Sequence, residues 1–333
     1  MFEQLTDPKK LLTLAVIAFV VMIVLLLQQR RKNKPENKSE YHPGHGILDQ
    51  YSTNYTQLAR QGKLEPVIGR QREVEHLIQV LSRKTKNNAL LLGEPGVGKT
   101  AVVERLALMI VNKQVPDSIA GQEIIALDMA SLVSGTKYRG ELEQRLDELR
   151  KEFHERQNSI ILFIDELQEL AQAKGAEGGL SPGDILKPEL ARGTLQVIGA
   201  TTLDEYEKYI IPEESLERRF QPVYIHEPSR EETLQMLQGV RDVFGKYHHV
   251  QYSDKALEAI IDLSKKYIHK RYLPDKAIDI LDEAGVRARL DHLKLKRQNQ
   301  KPAEESVLVD VDTVKQIVSE WAEIPIAKLK IEE

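Results

Sequence analysis

Most of the chain alternates short apolar runs with amphipathic segments. A helix is predicted at 140–156, where four apolar side chains fall on one stripe: Leu142, Leu146, Leu149 and Phe153. Five apolar runs are typical of strands, and several have no charged position, as expected for parallel strands covered on both faces. These runs span residues 89–92, 123–127, 159–164, 195–199 and 222–225. The alternation predicts an α/β fold with a doubly wound parallel sheet.

The strand pattern fades after about residue 228, and helical periodicity replaces it. Further helices are predicted at 230–245, 253–268, 274–295 and 312–321. We therefore predict a larger α/β domain at 51–228 and a smaller helical domain with a C-terminal tail at 229–333.

The N-terminal region is predicted to be a transmembrane anchor followed by a linker. Residues 11–27 hold no charge, and as a helix they would span about 26 Å, close to the lower limit for a bilayer core. Gln28 and Gln29 follow where a cleavable signal peptide would have small residues, so the anchor, residues 1–29, is expected to be retained. More basic residues follow the segment than precede it, which predicts a single-pass membrane protein with the domains that follow the segment in the cytoplasm. The polar segment 30–50 is predicted to be a flexible linker.

Composition narrows the possible functions. The formal net charge is −4, so no overall basic field favours nucleic acid as a partner. The chain has no cysteine, which excludes disulfides, thiolate chemistry and cysteine-ligated zinc. The sequence also lacks an H-E-x-x-H motif, so it offers no zinc-protease site of that type.

The glycine-rich motif GEPGVGKT follows the apolar run NALLL and opens the helical segment AVVERLALMI. A phosphate-binding loop needs this context, because backbone N–H groups and a helix N-terminus then face the phosphates. We predict that ATP binds here, that Lys99 reaches the β- and γ-phosphates, and that the Thr100 hydroxyl ligates Mg²⁺. The predicted nucleotide-binding residues of the loop are Gly93, Glu94, Pro95, Gly96, Val97, Gly98, Lys99 and Thr100.

A second candidate lies at the end of the run SIILFIDE. In open α/β sheets ligands bind at the carboxyl ends of the strands, which is where this run places Asp165. We predict that Asp165 holds Mg²⁺ and that Glu166 polarises the attacking water.

These motifs resemble the first AAA+ module of the Clp ATPases, the two-ring unfoldases and disaggregases. The resemblance covers residues 64–329 and includes LEPVIGR, GTKYRGELEQRL, LKPELARGTLQVIGATTLDEY, LERRF and LPDKAIDILDEAG. It implies the AAA+ fold with a helical lid domain. It also implies a homo-oligomer, a hexameric ring, that couples ATP hydrolysis to unfolding, translocation or remodelling of protein substrates through its pore.

The resemblance assigns roles to residues outside the phosphate loop. Val67 and Ile68 would line the adenine pocket. Thr202 corresponds to sensor 1, which orients the lytic water. Arg218 and Arg219 correspond to arginine fingers, which reach the γ-phosphate bound by a neighbouring subunit.

A third motif, GTKYRG, corresponds to the loop that lines the central pore in the family. Lys137, Tyr138 and Arg139 would contact the translocating polypeptide there. An aromatic side chain offers a large contact area that tolerates any sequence, which suits this role.

The sequence also departs from the family. The resemblance ends before the family's second ATPase module and the loop that docks a peptidase, so neither that module nor a peptidase partner is predicted. LPDKAID stands where a Gly-Ala-Arg sensor 2 would lie in the lid. An ATP-driven switch or scaffold that remodels one partner without threading it is the alternative, and a DNA-processing AAA+ protein is disfavoured by the net negative charge.

Overall fold

The computed structural model of the chain describes residues 46–134, 139–172, 182–192, 195–299 and 307–330. The strands in this part of the chain are β1 Ser52–Asn54, β2 Asn88–Leu92, β3 Glu123–Leu127, β4 Ile160–Ile164, β5 Gln196–Thr201, β6 Phe220–Tyr224, β7 Val250–Tyr252 and β8 Val307–Val309. The helices are α1 Ile47–Gln50, α2 Tyr55–Arg60, α3 Gln71–Leu81, α4 Lys99–Val111, α5 Met129–Val133, α6 Arg139–Arg156, α7 Gln168–Gln172, α8 Pro182–Arg192, α9 Leu203–Glu205, α10 Glu214–Glu217, α11 Arg230–His248, α12 Asp254–Tyr267, α13 Asp275–Asn299 and α14 Val311–Ala322. A π-helical turn, Tyr206–Ile210, follows α9, and a 3-10 turn, Ile326–Lys328, follows α14.

Within the described residues, six strands form one sheet in the order β1-β3-β4-β5-β2-β6. Strand β1 is antiparallel to β3, and the remaining neighbours are parallel. Strand β2 therefore has β5 on one side and β6 on the other, with Leu92 paired to Thr201 and Tyr224. Because parallel strands end at the same edge, the segments that follow β2, β4 and β5 meet there.

Both faces of the sheet are covered. Leu90 and Leu92 of β2 belong to one hydrophobic core, and Ala89 and Leu91 belong to a second core on the other face. All five residues of β2 are buried. This arrangement confirms the predicted parallel sheet and explains the uninterrupted apolar runs.

A third hydrophobic core lies in the lid, between α11, α12, α13 and α14. Strands β7 and β8 form a two-stranded parallel sheet beside these helices. The predicted lid helices are confirmed, and two of their starts have a clear local cause. Ser229 and Glu232 form a capping box that starts α11, and Asp310 caps α14 by accepting from the Thr313 N–H group.

The end of the predicted linker is part of the structured unit. Residues 47–50 form α1, Leu48 is fully buried, and its N–H group donates to Glu152 Oε2 at 2.9 Å. The predicted anchor, residues 11–27, lies outside the described residues. In the part that the structure does describe, no helix has both the length and the apolar surface to cross a membrane. The longest of them, α13 with 25 residues, has charged side chains along its whole length.

Candidate nucleotide-binding site

The phosphate loop joins β2 to α4 at the carboxyl edge of the sheet. Gly96 and Gly98 have φ angles of 81° and 95°, a left-handed conformation that favours glycine. The Gly93 N–H group donates to the Thr201 carbonyl oxygen at 3.3 Å, which ties the loop to the end of β5. A Cβ atom on Gly93 would lie 2.4 Å from the carbonyl oxygen of Ile225. The loop thus has the closely packed glycines that a phosphate cradle requires.

The side chain of Lys99 lies across this loop. Its Nζ atom donates to the carbonyl oxygens of Gly93 at 2.9 Å and Glu94 at 3.2 Å. Burial lowers the pKa of Lys99, and the nearby carboxylates of Asp165 and Glu205 oppose that shift. The ammonium group is therefore held where the phosphates of a bound nucleotide would lie.

Thr100 and Asp165 come together at the predicted metal site. The Thr100 hydroxyl donates to Asp165 Oδ2 across 3.4 Å, although the two residues are 65 positions apart in the sequence. Asp165 follows the buried strand β4, and Thr100 lies in the first turn of α4. A hydroxyl and a carboxylate are oxygen ligands of the kind that Mg²⁺ prefers, so the residues present fit the ATP·Mg²⁺ that the sequence predicts.

Glu166 occupies the next position, in an unusual backbone conformation. Its φ angle is 54°, and its N–H group donates to Asp165 Oδ1 at 3.0 Å. The side chain is exposed at the sheet edge. Burial and a hydrogen bond with Glu166 raise the pKa of Glu169. The turn therefore directs the Glu166 carboxylate into solvent beside the predicted metal ligands, where it could reach an attacking water.

Thr202 directly follows β5, the strand between β4 and β2. It is the N-cap of α9 in a capping box with Glu205, whose Oε2 accepts from the Thr202 hydroxyl at 2.9 Å. Burial alone would raise the pKa of Glu205, but hydrogen bonds from Thr202 and Thr201 outweigh it and lower the pKa. Thr202 therefore lies at the carboxyl edge of the sheet, and its hydroxyl is bonded to Glu205 in the capping box.

Val67 and Ile68 lie between the phosphate-loop helix and the lid. Arg105 of α4 donates to the carbonyl oxygens of Val67 and Gly69. Ile68 packs so closely on α11 that a Cβ atom on Gly239 would lie 1.5 Å from its Cδ1 atom. The entry segment therefore contacts both domains, as an adenine pocket at their junction would require.

Arg70 was not predicted as a site residue, yet it connects the phosphate loop to the end of β6. Its guanidinium donates to the carbonyl oxygens of Val97 at 2.5 Å and His226 at 2.9 Å, and the side chain is buried.

Glu205 and Asp275 were also not predicted as site residues. The Asp275 N–H group donates to the Gly96 carbonyl oxygen at 3.3 Å. The Thr-x-x-Glu spacing could have indicated Glu205 as a capping partner, whereas Arg70 and Asp275 act through contacts that no local pattern reveals.

Arg218 and Arg219 lie far from the phosphate loop of their own chain. They immediately precede β6, whose first residue, Phe220, pairs with Asn88 at the start of β2. The phosphate loop follows the other end of β2, roughly 16 Å away at 3.3 Å per residue. Both side chains are exposed, and Arg218 pairs with Glu214.

The predicted pore loop is not placed. Lys137 and Tyr138 lie outside the described residues, and Arg139 begins α6 with a side chain that is not described.

Comparison with known proteins agrees with this geometry. The family model "ATPase family associated with various cellular activities (AAA)" matches residues 89–224, and the AAA lid domain model matches residues 229–323. The chain is 55% identical over 248 residues to the chloroplastic chaperone protein ClpC of Pisum sativum, covering 74% of this chain and 27% of that protein. It is 55% identical over 243 residues to the chaperone protein ClpB of Oceanobacillus iheyensis, covering 73% of this chain and 30% of that protein.

A solved structure is similar over a larger share of the chain. A closed-state cryo-EM reconstruction of Hsp104 with ATPγS and FITC-casein matches with a TM-score of 0.74 and 37% identity, covering 85% of this chain and 48% of that one. The chain thus spans less than half the length of this protein and under a third of the length of the two chaperones.

The predicted location of the protein is corrected by these findings. Several of the most similar relatives are chloroplastic ClpC chaperones. No helix among residues 46–330 that the structure describes could span a bilayer. A single-pass membrane protein with a cytoplasmic ATPase domain is therefore not supported.

Proposed function

Because the chain contains an AAA ATPase domain followed by an AAA lid domain, homologous to the corresponding region of ClpC, ClpB and Hsp104, we propose that it hydrolyses ATP to remodel protein substrates. The observation that carries this proposal is the approach of Thr100 to Asp165 at 3.4 Å, directly beside the Lys99 loop. We place the boundary between the two domains at about residue 228, between the matches of the two family models.

Each side chain at the sheet edge then has a role in hydrolysis. The phosphate loop and Lys99 bind the β- and γ-phosphates, while Thr100 and Asp165 hold Mg²⁺, which neutralises phosphate charge when bound. Glu166 accepts a proton from the attacking water or orients it. Thr202 is the candidate for orienting that water from the neighbouring strand.

The site is completed by a second copy of the chain. Arg218 and Arg219 lie at the opposite edge of the sheet from their own phosphate loop, which supports a role at the site of a neighbour and not at their own. We infer a ring, by homology a hexamer, in which these guanidinium groups reach the γ-phosphate bound by the neighbouring subunit. An arginine supplied in this way is worth about 10³–10⁵ in rate.

Protein remodelling by threading rests on Tyr138 and its neighbours Lys137 and Arg139. Their sequence context resembles the pore loop of the family, and the related Hsp104 structure contains casein. If Tyr138 grips the polypeptide, Tyr138→Ala abolishes the unfolding of a tagged fluorescent protein and leaves ATP hydrolysis near its normal rate.

The proposal as a whole is tested by measuring Mg²⁺-dependent ATP hydrolysis against protein concentration, with and without casein. We expect the rate per chain to rise with concentration, as rings form, and to change when casein is added. A chain that hydrolyses no ATP at any concentration would contradict the proposed activity.

A further inference from the structure

The first turn of α13 contacts the phosphate loop directly. The Asp275 N–H group donates to the Gly96 carbonyl oxygen at 3.3 Å. A Cβ atom on Gly96 would lie 2.7 Å from Asp275 Cβ and 3.0 Å from its Oδ2 atom. The lid therefore places a carboxylate in van der Waals contact with the loop that is proposed to bind the phosphates.

This contact poses an electrostatic problem. A carboxylate within a few ångströms of a triphosphate repels it, and the repulsion is larger where solvent is partly excluded. The repulsion also grows with the charge of the nucleotide, so it weakens ATP binding more than ADP binding. A lid that closes over ATP needs a compensating positive charge at this position.

Arg271 supplies that charge. Its guanidinium donates to Asp275 Oδ2 at 3.1 Å and to the carboxylate of Asp279, one turn further along α13. It also lies over the indole ring of Trp321, with 5.1 Å from Cζ to the ring centroid. Three neighbours thus hold the guanidinium on the phosphate-loop side of the lid.

The same end of α13 is bonded to the segment that joins the two domains, residues 225–229, here called the hinge. Glu227, which follows β6, accepts from the Leu273 N–H group at 2.7 Å. Lys276 lies 3.9 Å from the same carboxylate and donates to the Ile268 carbonyl at 2.9 Å. A shift of Asp275 relative to Gly96 therefore moves a helix start that is bonded to the hinge.

We propose that Arg271 is a positioning residue that lets the lid close over ATP by neutralising Asp275 against the phosphate loop. The proposal rests on nucleotide binding at this loop, as proposed above. Arg271 acts through Asp275 and not by contacting the phosphates itself. Its effect is therefore larger for ATP than for ADP.

The test is a titration of the full chain with Mg·ATPγS and Mg·ADP, measured by calorimetry and by the fluorescence of Trp321, the only tryptophan. In Arg271→Ala, the Asp275 carboxylate is no longer compensated, and it repels each nucleotide in proportion to the charge of that nucleotide. We therefore expect the Kd for ATPγS to rise about tenfold and the Kd for ADP to rise about threefold or less. Arg271→Lys keeps the charge and most of the affinity. Adding Asp275→Asn to Arg271→Ala removes the repulsion and restores ATPγS binding.

Arg287→Ala is the matched control. Arg287 lies on α13, the helix that begins at Asp275, and like Arg271 it bonds two carboxylates, those of Glu283 and Glu320. It is twelve residues from Asp275, about 18 Å along the helix. We expect both Kd values to stay unchanged in this variant.

Equal losses for the two nucleotides in Arg271→Ala, or no recovery in the double variant, would overturn the proposal. If Arg271→Ala does not fold, Arg271→Gln, which keeps most of the side-chain length, is tested alone and together with Asp275→Asn: equal losses for the two nucleotides, or no recovery in that double variant, overturn the idea. A wild-type chain that binds neither nucleotide would refute the proposed function itself, which separates that failure from this one.

Discussion

The residues at the sheet edge differ in how their charges are held. Lys99 is half-buried and bonded to two loop carbonyls, whereas Glu166 is exposed on a left-handed turn. The lysine is therefore held by the loop itself, and the exposed glutamate can be reached by a water molecule. A general base needs this access to water.

Replacing Glu166 tests its role in hydrolysis. Glu166→Gln keeps the size of the side chain but removes its basicity, so we expect hydrolysis to fall by about 10²–10⁴ while ATP binding persists. ATP turnover and equilibrium binding of labelled nucleotide measure the two effects. Glu258→Gln, at an exposed position on α12, serves as the control. Near-normal turnover in Glu166→Gln would remove this residue from the mechanism.

The capping box at Thr202 gives a pH-dependent prediction. The pKa of Glu205 is lowered from 4.5 in the folded chain, because hydrogen bonds from Thr202 and Thr201 favour its charged form. Its stabilisation is therefore fully present above pH 4.5 and is lost as the pH falls through the lowered folded pKa. Urea unfolding of wild type and Glu205→Gln should differ at pH 7 and converge towards pH 3. A constant difference across that range would contradict this assignment, and the exposed Glu207→Gln is the control.

At the scale of elements, local patterns predicted most of the fold. Strands β2 and β4 are fully buried and β3 largely so, and the sequence places each to within one residue of its bounds. Strands β1, β7 and β8 have three residues each, too few to show an alternation, and pairing with distant segments creates them. The phosphate loop is a local pattern that the sequence predicts. Its contacts with Arg70 and Asp275 join distant segments, which no local pattern predicts.

The contact between the entry segment and the lid can be tested through Gly239. A methyl group added there would displace the Ile68 side chain, which lies 1.5 Å from the new atom. We expect Gly239→Ala to weaken ADP binding by about tenfold, near the lower end of the cost of overpacking. Thermal stability should hardly fall, because alanine favours a helix over glycine by about 1 kcal/mol.

Gly140→Ala is the matched control for that variant. Gly140 is also helical, and an added Cβ would meet no atom within 4 Å. It should gain helix propensity without any loss of nucleotide affinity. Unchanged ADP binding in Gly239→Ala would show that Ile68 does not line the adenine pocket.

At the scale of the whole molecule, the sheet separates the two halves of the proposed site. One edge carries the phosphate loop, Asp165 and Glu166, and the other edge carries Arg218 and Arg219. A single chain cannot bring them together without breaking β6 away from β2. Under the proposed function, catalysis therefore requires contact between copies, with Arg218 and Arg219 of one copy at the site of the next.

Mixing two inactive variants tests this claim most directly. Glu166→Gln lacks the base, and the double variant Arg218→Ala, Arg219→Ala lacks the fingers, so each alone should hydrolyse ATP at least about 10²-fold more slowly than wild type. In a 1:1 mixture that exchanges subunits, about a quarter of the interfaces of a symmetric ring unite an intact base with an intact pair of arginines. We predict that hydrolysis recovers to about that fraction of the wild-type rate. No recovery in mixed rings, verified by native mass spectrometry, would contradict a site shared between neighbours.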